Sequence, residues 1–374
     1  MLSKDEMMRY QRQTLLPEIG TGGQEKLKNA RVLVIGAGGL GCPVLLYLTA
    51  AGVGTLGVID GDTVSESNLP RQILYRSSDV GLPKVQIAIE RLKEANPFVT
   101  IRSYAYLLNR NNALDILREY DVVVDCTDNF AARYLTNDAC VLLNKPFVYA
   151  AIHRFEGQVA VFNYTNAQAE QGPTYRCLFP EPLGPGQVPS CNEAGVIGVL
   201  PGLIGLYQAN EVIKIITGVG HVLNGELLVM DLLEMTHRKI RIRRSPGAGH
   251  IRELIDYEVF CNGSFNPDEV RALSASELDE KITSGEDWKL IDVREPYEFD
   301  ICRLPLSTLI PMSRIAGQLD RIPRDKPVVL YCHHGMRSAQ VIRYLQQQGF
   351  SNLYNLSGGI ESWALEVDDE MERY

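Results

Sequence analysis

Val32-Leu-Val-Ile35, followed at once by Gly36-Ala-Gly38-Gly39-Leu-Gly41, is the stretch on which the fold turns. Four apolar residues without polar alternation read as a strand buried on both faces, as in a parallel sheet, and the glycines after it as a tight turn opening a helix. The apolar run continues to Ile59, long enough on hydropathy alone for a membrane span, but glycines at 36, 38, 39, 41, 52, 54 and 57 interrupt it. A βαβ unit of a soluble domain fits better: strand Val32–Ile35, helix Leu40–Ala51, strand Thr55–Ile59.

The alternation repeats outward from this unit. Pro83 to Ala95 reads as an amphipathic helix with proline at its start, and Asp121-Val-Val-Val-Asp125 as a strand leading into a helix through Leu143. Such a pattern predicts a Rossmann-like, doubly wound α/β sheet. Val196 to Thr217 is apolar except for Gln208, Asn210, Glu211 and Lys214 on one side, which reads as a helix packed in the core or against a second subunit. The turn-rich clusters Ser245-Pro-Gly-Ala-Gly249 and Asn262-Gly-Ser-Phe-Asn-Pro267 mark a boundary. The expected organisation is a domain over 1–247, a linker over 248–274, and a smaller α/β domain over 275–374, with strands at Leu290–Val293 and Val328–Tyr331 and a helix over Ser338–Gln348.

The 374 residues are 45% hydrophobic and 22% charged, ordinary for two domains with cores of their own, and 37 basic against 46 acidic side chains leave a net charge of −9. That balance argues against a protein that neutralises a nucleic-acid backbone. The charged start, Met1-Leu-Ser-Lys-Asp-Glu6, lacks the apolar centre of a signal peptide, so a cytoplasmic location with free thiols is expected and no membrane partner. The eight cysteines, at 42, 126, 140, 177, 191, 261, 302 and 332, form no C-x-x-C pair, so structural zinc is not expected.

The glycine loop is placed where backbone N–H groups and a helix N-terminus can hold phosphate, and Asp60, ending the next strand, can accept from ribose hydroxyls. That much does not separate NAD from ATP. The segment beyond does: Asn68, Arg71, Gln72 and Lys84 supply more cation than hydride transfer needs, and a departing pyrophosphate needs several cations and a carboxylate for Mg²⁺. Asp125 and Asp128, in Asp125-Cys-Thr-Asp128-Asn129, fall just past the end of a parallel strand, where ligands meet open sheets. Taken singly, Arg71 and Lys84 read as solvated charges and Asp128 as a helix cap.

Together these residues resemble the MoeB/ThiF/HesA family of adenylyltransferases, relatives of the ubiquitin-activating enzymes. The resemblance runs from Arg9 to Tyr257 and is carried by Arg9-Tyr-Gln-Arg12-Gln13, the glycine loop, Asp60, Asn68-Leu-Pro-Arg71-Gln72, Gly81-Leu-Pro-Lys84, Asp125-Cys-Thr-Asp128-Asn129, Phe155-Glu-Gly-Gln158 and Cys191-Asn-Glu-Ala-Gly195. It implies that Asp60 holds ribose, that Arg71 and Lys84 engage the triphosphate of ATP, that Asp128 binds Mg²⁺, and that Arg12 reaches into the other subunit of a homodimer. Many members hold zinc with two C-x-x-C pairs. Here the equivalents are Thr174-Tyr-Arg-Cys177 and Ala248-Gly-His-Ile251, with one thiol among four positions, as in the zinc-free, rhodanese-fused MoeZ-type subgroup. Pro70 stands where glutamine is common.

Two thiols carry separate expectations. Cys191 follows Phe179-Pro-Glu-Pro-Leu-Gly-Pro-Gly-Gln-Val-Pro189, which cannot be regular helix or strand, and the same resemblance places an acceptor cysteine there. Cys42, Cys126 and Cys140 sit in apolar settings and read as inert. Cys332, in Tyr331-Cys332-His-His-Gly-Met-Arg337-Ser338, follows a strand and precedes a helix, a cradle of N–H groups that favours negative charge on sulfur. This segment, with Leu290-Ile-Asp-Val-Arg294-Glu-Pro-Tyr-Glu298-Phe and Leu356-Ser-Gly-Gly-Ile360, resembles the rhodanese domain. A cysteine phosphatase is the rival reading, but four residues between Cys332 and Arg337 make a smaller cradle, sized for a persulfide sulfur. His333 stands where arginine is frequent, and Cys302-Arg303 where Gly-His is usual.

An ATP site and a sulfane-carrying cysteine combine into one expected reaction. The C-terminal Gly-Gly carboxylate of a ubiquitin-like sulfur carrier protein becomes an acyl adenylate and then a thiocarboxylate, with sulfur from a donor such as a cysteine desulfurase. The alternatives are a NAD-dependent oxidoreductase and a non-catalytic scaffold for a ubiquitin-like protein. Molybdopterin, thiamine, cysteine, thio-tRNA and siderophore pathways all remain open.

Overall fold

In the computed structural model, which describes residues 1–182, 195–247, 250–262 and 270–373, strand β1 (Arg31–Ile35) serves two cores. Val32 and Val34 lie in one, Leu33 and Ile35 in the other. A period-two strand with no polar face needs helices on both sides. The Gly41–Ala51, Lys84–Ala95 and Val199–Thr217 helices close the first core through Leu45, Leu48, Leu92 and Ile204, and the Ala113–Arg118 and Phe130–Leu143 helices close the second through Leu117, Tyr134 and Leu135. Each such aliphatic side chain contributes about 1.5–3 kcal/mol by leaving water.

The sheet continues with β2 (Thr55–Ile59), β3 (Thr100–Tyr104), β4 (Val122–Asp125), β5 (Phe147–His153), β6 (Glu156–Phe162), β7 (Glu226–Asp231) and β8 (Thr236–Arg241), in the order β3-β2-β1-β4-β5-β6-β7-β8. The strands from β3 to β5 are parallel, as the alternation predicts. From β5 onward the pairing is antiparallel, which the sequence reading did not anticipate. All six residues of β8 are exposed, so that strand carries no apolar period, and its Arg238, Lys239 and Arg241 suit a sheet edge that must not pair with another chain.

Strand order places the site. The helix after β1 packs on the first core and the helix after β4 on the second, so the loops leaving these adjacent strands part, and a crevice opens beyond their carboxyl ends. Gly36 (φ +95°) begins the turn: a Cβ there would stand 2.7 Å from the Cys126 carbonyl oxygen, so the loops after β1 and β4 approach closely only because it is glycine.

The second unit begins at Asn262. Its parallel sheet contains β9 (Ala272–Leu273), β10 (Lys289–Asp292), β11 (Thr308–Leu309), β12 (Val328–Tyr331) and β13 (Leu353–Leu356), ordered β11-β10-β12-β13-β9. Val328 and Leu330 face one core, Val329 and Tyr331 the other. The span expected as linker, 248–274, is partly structured. Tyr257–Asn262 is a helix, Tyr257 is buried in the first unit with its hydroxyl donating to Asp138 Oδ2 at 2.8 Å, and Ala272–Leu273 is a strand. Its turn-forming composition hides a one-turn apolar face made by Tyr257, Phe260 and Cys261.

Candidate functional site

The crevice beyond β1 and β4 gathers Gly38, Gly39, Leu40, Asp60, Asp62, Arg71, Gln72, Lys84, Cys126, Thr127, Asp128, Arg133, Ile152 and Val196. Asp60, 8% exposed, is fixed by two backbone donors: the Ala37 N–H to Oδ2 and the Asp62 N–H to Oδ1, both at 2.8 Å. Burial pushes its carboxyl up, opposed by the Lys84 charge and those N–H groups. Lys84 is itself buried and pairs with Asp62 Oδ2 at 2.9 Å, so its ammonium is held at the pocket wall. Gln72 is buried with Oε1 lacking a hydrogen-bond partner among the described residues, an acceptor that a ligand donor would satisfy.

Asn68, Asn129, Gly36 and Gly41 lie behind the lining. The Asn68 carbonyl accepts from the Arg71 and Gln72 N–H groups at 3.1 and 2.9 Å, forming the turn that presents both side chains. Asn129 caps the Phe130–Leu143 helix by accepting from the Ala132 N–H at 2.8 Å. Arg12 is exposed on the Gln11–Thr14 helix and is not part of the lining of its own chain's pocket. Cys191 lies outside the described residues.

Arg133 is a lining residue that the sequence reading missed. Its Nε is 3.7 Å from Asp125 Oδ2, its Nη2 donates to the Thr127 carbonyl at 3.1 Å, and its guanidinium stands 5.6 Å from the Tyr149 ring centre. Asp125 is fully buried, and its Oδ1 accepts from the Thr127 N–H and hydroxyl at 2.9 and 2.6 Å. Thr127 is thus pinned from both sides, which sets the position of Asp128 next to it. A signal existed: a cation in the first turn of a helix opposes the macrodipole, and only a nearby anion makes that favourable.

The donor set fits a magnesium nucleotide. Asp128 is exposed to the pocket and offers hard oxygen, and among the described residues no cluster of three or more metal-binding side chains exists. A cation here would therefore take one or two carboxylates and complete its shell with phosphate oxygens and water, the usual Mg²⁺ arrangement.

The second unit builds a different site at the end of β12. Cys332 Sγ, 2% exposed, accepts from the Gly335 N–H at 3.1 Å. Ser338 Oγ lies 3.5 Å from that sulfur, 3.1 Å from the Gly335 carbonyl oxygen and 2.6 Å from Asn355 Oδ1, so one hydroxyl proton has three acceptors within reach. Asn355 Nδ2 donates to the Gly335 carbonyl at 3.1 Å and so fixes the peptide beside the sulfur. Arg337 is held bidentately by Glu298, both distances 2.7 Å. The closing turn is tied down by the Ile360 N–H donating to the Cys332 carbonyl at 2.9 Å. The three thiols read as inert are indeed buried, and burial pushes Cys42 up to about 12 and Cys126 and Cys140 up as well.

With the two sites in place, the comparisons with known proteins decide the family. The ThiF family model matches residues 10–249 and the rhodanese-like domain model residues 274–366. The chain belongs to the ThiF family. It is 47% identical over 380 residues to the probable adenylyltransferase/sulfurtransferase MoeZ of Mycobacterium tuberculosis, covering all of this chain and 96% of that relative. It is 54% identical over 265 residues to the sulfur carrier protein adenylyltransferase of Thermus thermophilus, covering 69% of this chain and 98% of the relative. Among solved structures, E. coli MccB with MccA-N7isoASN aligns with a TM-score of 0.57 at 24% identity, over 66% of this chain and 74% of that one, and supports the fold. This ThiF-family chain is an enzyme, an adenylyltransferase joined to a rhodanese-like sulfurtransferase. Among the described residues, no helix is long and apolar enough to cross a membrane.

Proposed function

We propose that the enzyme activates the C-terminal Gly-Gly carboxylate of a ubiquitin-like sulfur carrier protein with ATP and then delivers sulfur from a persulfide on Cys332. The residues 1–247 would perform the first step and 275–374 the second. The observation that carries this reading is the juxtaposition, in one crevice of the first unit, of a glycine loop, Asp60, two cations and Asp128; the second unit, taken by itself, holds a strand-end thiol that accepts from the Gly335 N–H.

Asp60 accepts from the ribose hydroxyls. Arg71 and Lys84 balance charge on the triphosphate, and Arg12 of a homodimer partner adds a further cation. Asp128 is the residue that would hold Mg²⁺, which supplies charge neutralisation to the departing pyrophosphate. A carboxylate oxygen of the carrier attacks the α-phosphorus, and the bond to the bridging oxygen of pyrophosphate breaks. The terminal sulfur of the Cys332 persulfide then attacks the acyl carbon and AMP leaves. The acyl disulfide so formed on Cys332 is opened by a second thiolate, which bonds to the Cys332 sulfur as the S–S bond to the acyl-bearing sulfur breaks and the thiocarboxylate leaves. The resulting disulfide is returned to thiols by a thiol reductant, and Cys191 is the candidate for the second thiol or for a thioester. The persulfide on Cys332 would come from a donor such as a cysteine desulfurase. Zinc has no place in this reading, because of the four positions Thr174, Cys177, Ala248 and Ile251 only Cys177 carries a thiol.

Carrier- and Mg²⁺-dependent ATP–pyrophosphate exchange tests the division of labour. It should survive Cys332→Ala and collapse in Asp128→Ala, and mass spectrometry of the carrier should show adenylate without added sulfur for Cys332→Ala. Equal behaviour of the two variants would overturn the assignment.

A further inference from the structure

We propose that Asp62 is a positioning residue: it holds Lys84 ready for the outer phosphates of the nucleotide and so sets the preference of the crevice for ATP over AMP. The inference rests on the adenylation reading above and deepens it by naming what selects the triphosphate over the monophosphate that the reaction leaves behind.

Lys84 poses the physical problem. It is the first residue of the Lys84–Ala95 helix, where the macrodipole opposes a cation, and its side chain is only 7% exposed. An ammonium taken out of water in such a place needs a fixed anion. Asp62 Oδ2, at 2.9 Å, is the one acceptor of Lys84 Nζ among the described residues, so two of the three ammonium N–H groups are left for a ligand. Both residues line the crevice.

Backbone bonds keep Asp62 in place. Its N–H donates to Asp60 Oδ1 at 2.8 Å, and its carbonyl accepts from the Lys84 N–H at 3.0 Å. The Val64 N–H donates to the Leu82 carbonyl at 2.9 Å and the Gly81 N–H to the Val64 carbonyl at 2.8 Å, which locks 62–64 against 81–84. One short segment therefore fixes the ribose acceptor through its backbone and the phosphate cation through its side chain.

The opposite role, a carboxylate that competes with phosphate for Lys84, is disfavoured by exposure. The Asp62 side chain is 67% exposed, so water screens its charge from a bound phosphate, whereas its hydrogen bond to Lys84 acts at contact distance. An ammonium already ordered loses less side-chain freedom on binding than a loose four-carbon chain does. AMP has no β- or γ-phosphate and gains little from that order.

The test measures Kd for ATP and for AMP on the full chain, with Mg²⁺ and without carrier, by isothermal titration calorimetry. Asp62→Ala should lower the ratio Kd(AMP)/Kd(ATP) by ~10-fold, chiefly through weaker ATP binding. Asp62→Asn keeps an acceptor without the charge, so its ratio should fall between those of the wild type and Asp62→Ala. Added to Lys84→Met, Asp62→Ala should change the ratio by less than about two-fold, because the carboxylate acts through the lysine. These substitutions leave the backbone bonds of residue 62 intact. A ratio unchanged or raised in Asp62→Ala overturns the inference, as does an equal fall with and without Lys84. Wild-type protein that binds no ATP would instead overturn the adenylation reading itself.

Discussion

Cys126 and Cys332 occupy the same address in two different sheets, each the first residue beyond a central parallel strand, β4 in one unit and β12 in the other. Both are buried, and by exposure Cys126, at 8%, is the more accessible against 2% for Cys332. What separates them is the direction of their hydrogen bonds. Cys126 donates its S–H to Gln208 Oε1 at 3.6 Å beside the Asp125 carboxylate, and burial together with that charge pushes it well up. Cys332 instead accepts from a backbone N–H, with a serine hydroxyl within reach. Strand-end position therefore offers a site, and the donors around it decide whether a thiol there reacts or packs.

The comparison breaks most severely at Arg133. Arg133→Ala leaves the Asp125 carboxylate buried without its cation, with an expected loss of ~3–5 kcal/mol of stability in urea denaturation. A loss below ~1 kcal/mol would mean that the pair behaves as an exposed one. Arg133→Lys should recover part of the stability.

Limited alkylation sharpens the contrast next. Iodoacetamide on the folded protein, followed by peptide mapping, should modify Cys332 roughly 100-fold faster than Cys126, although exposure alone orders them the other way. Cys42, pushed up to about 12, should stay unlabelled at pH 10. The same shifts fix a pH dependence. A thiol raised above its unfolded value, about 8.5, contributes stability in full below that value and loses it as pH rises through the folded value. The melting temperature should fall as pH rises above about 9, and Cys42→Ala should flatten that fall.

The smallest expected effect belongs to Ser338. Ser338→Ala removes one donor to the sulfur while the Gly335 N–H remains, so loading of Cys332 should slow about ten-fold. Ser338→Thr, which keeps the hydroxyl, should restore most of the rate, and a failure to do so would assign Ser338 to packing.

Much of this was legible beforehand, because parallel strands buried on both faces write themselves as continuous apolar runs. Val32–Ile35, Thr55–Ile59 and Val122–Asp125 emerge that way, and so do the loops after them, whose glycines and carboxylates have few other reasons to stand there. Seven of the expected site residues, Gly38, Gly39, Asp60, Arg71, Gln72, Lys84 and Asp128, meet in one crevice. Arg133 escaped because in sequence it is one more arginine on a helix, and its value depends on a carboxylate eight positions earlier that only the β4 turn brings alongside. Asn355 escaped for a similar reason: its contacts to Ser338 and Gly335 join β13 to a loop about twenty residues away.

By itself the sequence determined the two α/β units and the tight loops that follow β1 and β12, because these rest on local conformational demands that glycine, proline and apolar runs encode directly. The tertiary structure alone decided which charges are already bound: Arg337 to Glu298, Arg294 to Asp292, Arg133 to Asp125. An ion pair is made by distance in space, and a residue's formal charge says nothing of whether a neighbour brought in by the fold has already neutralised it.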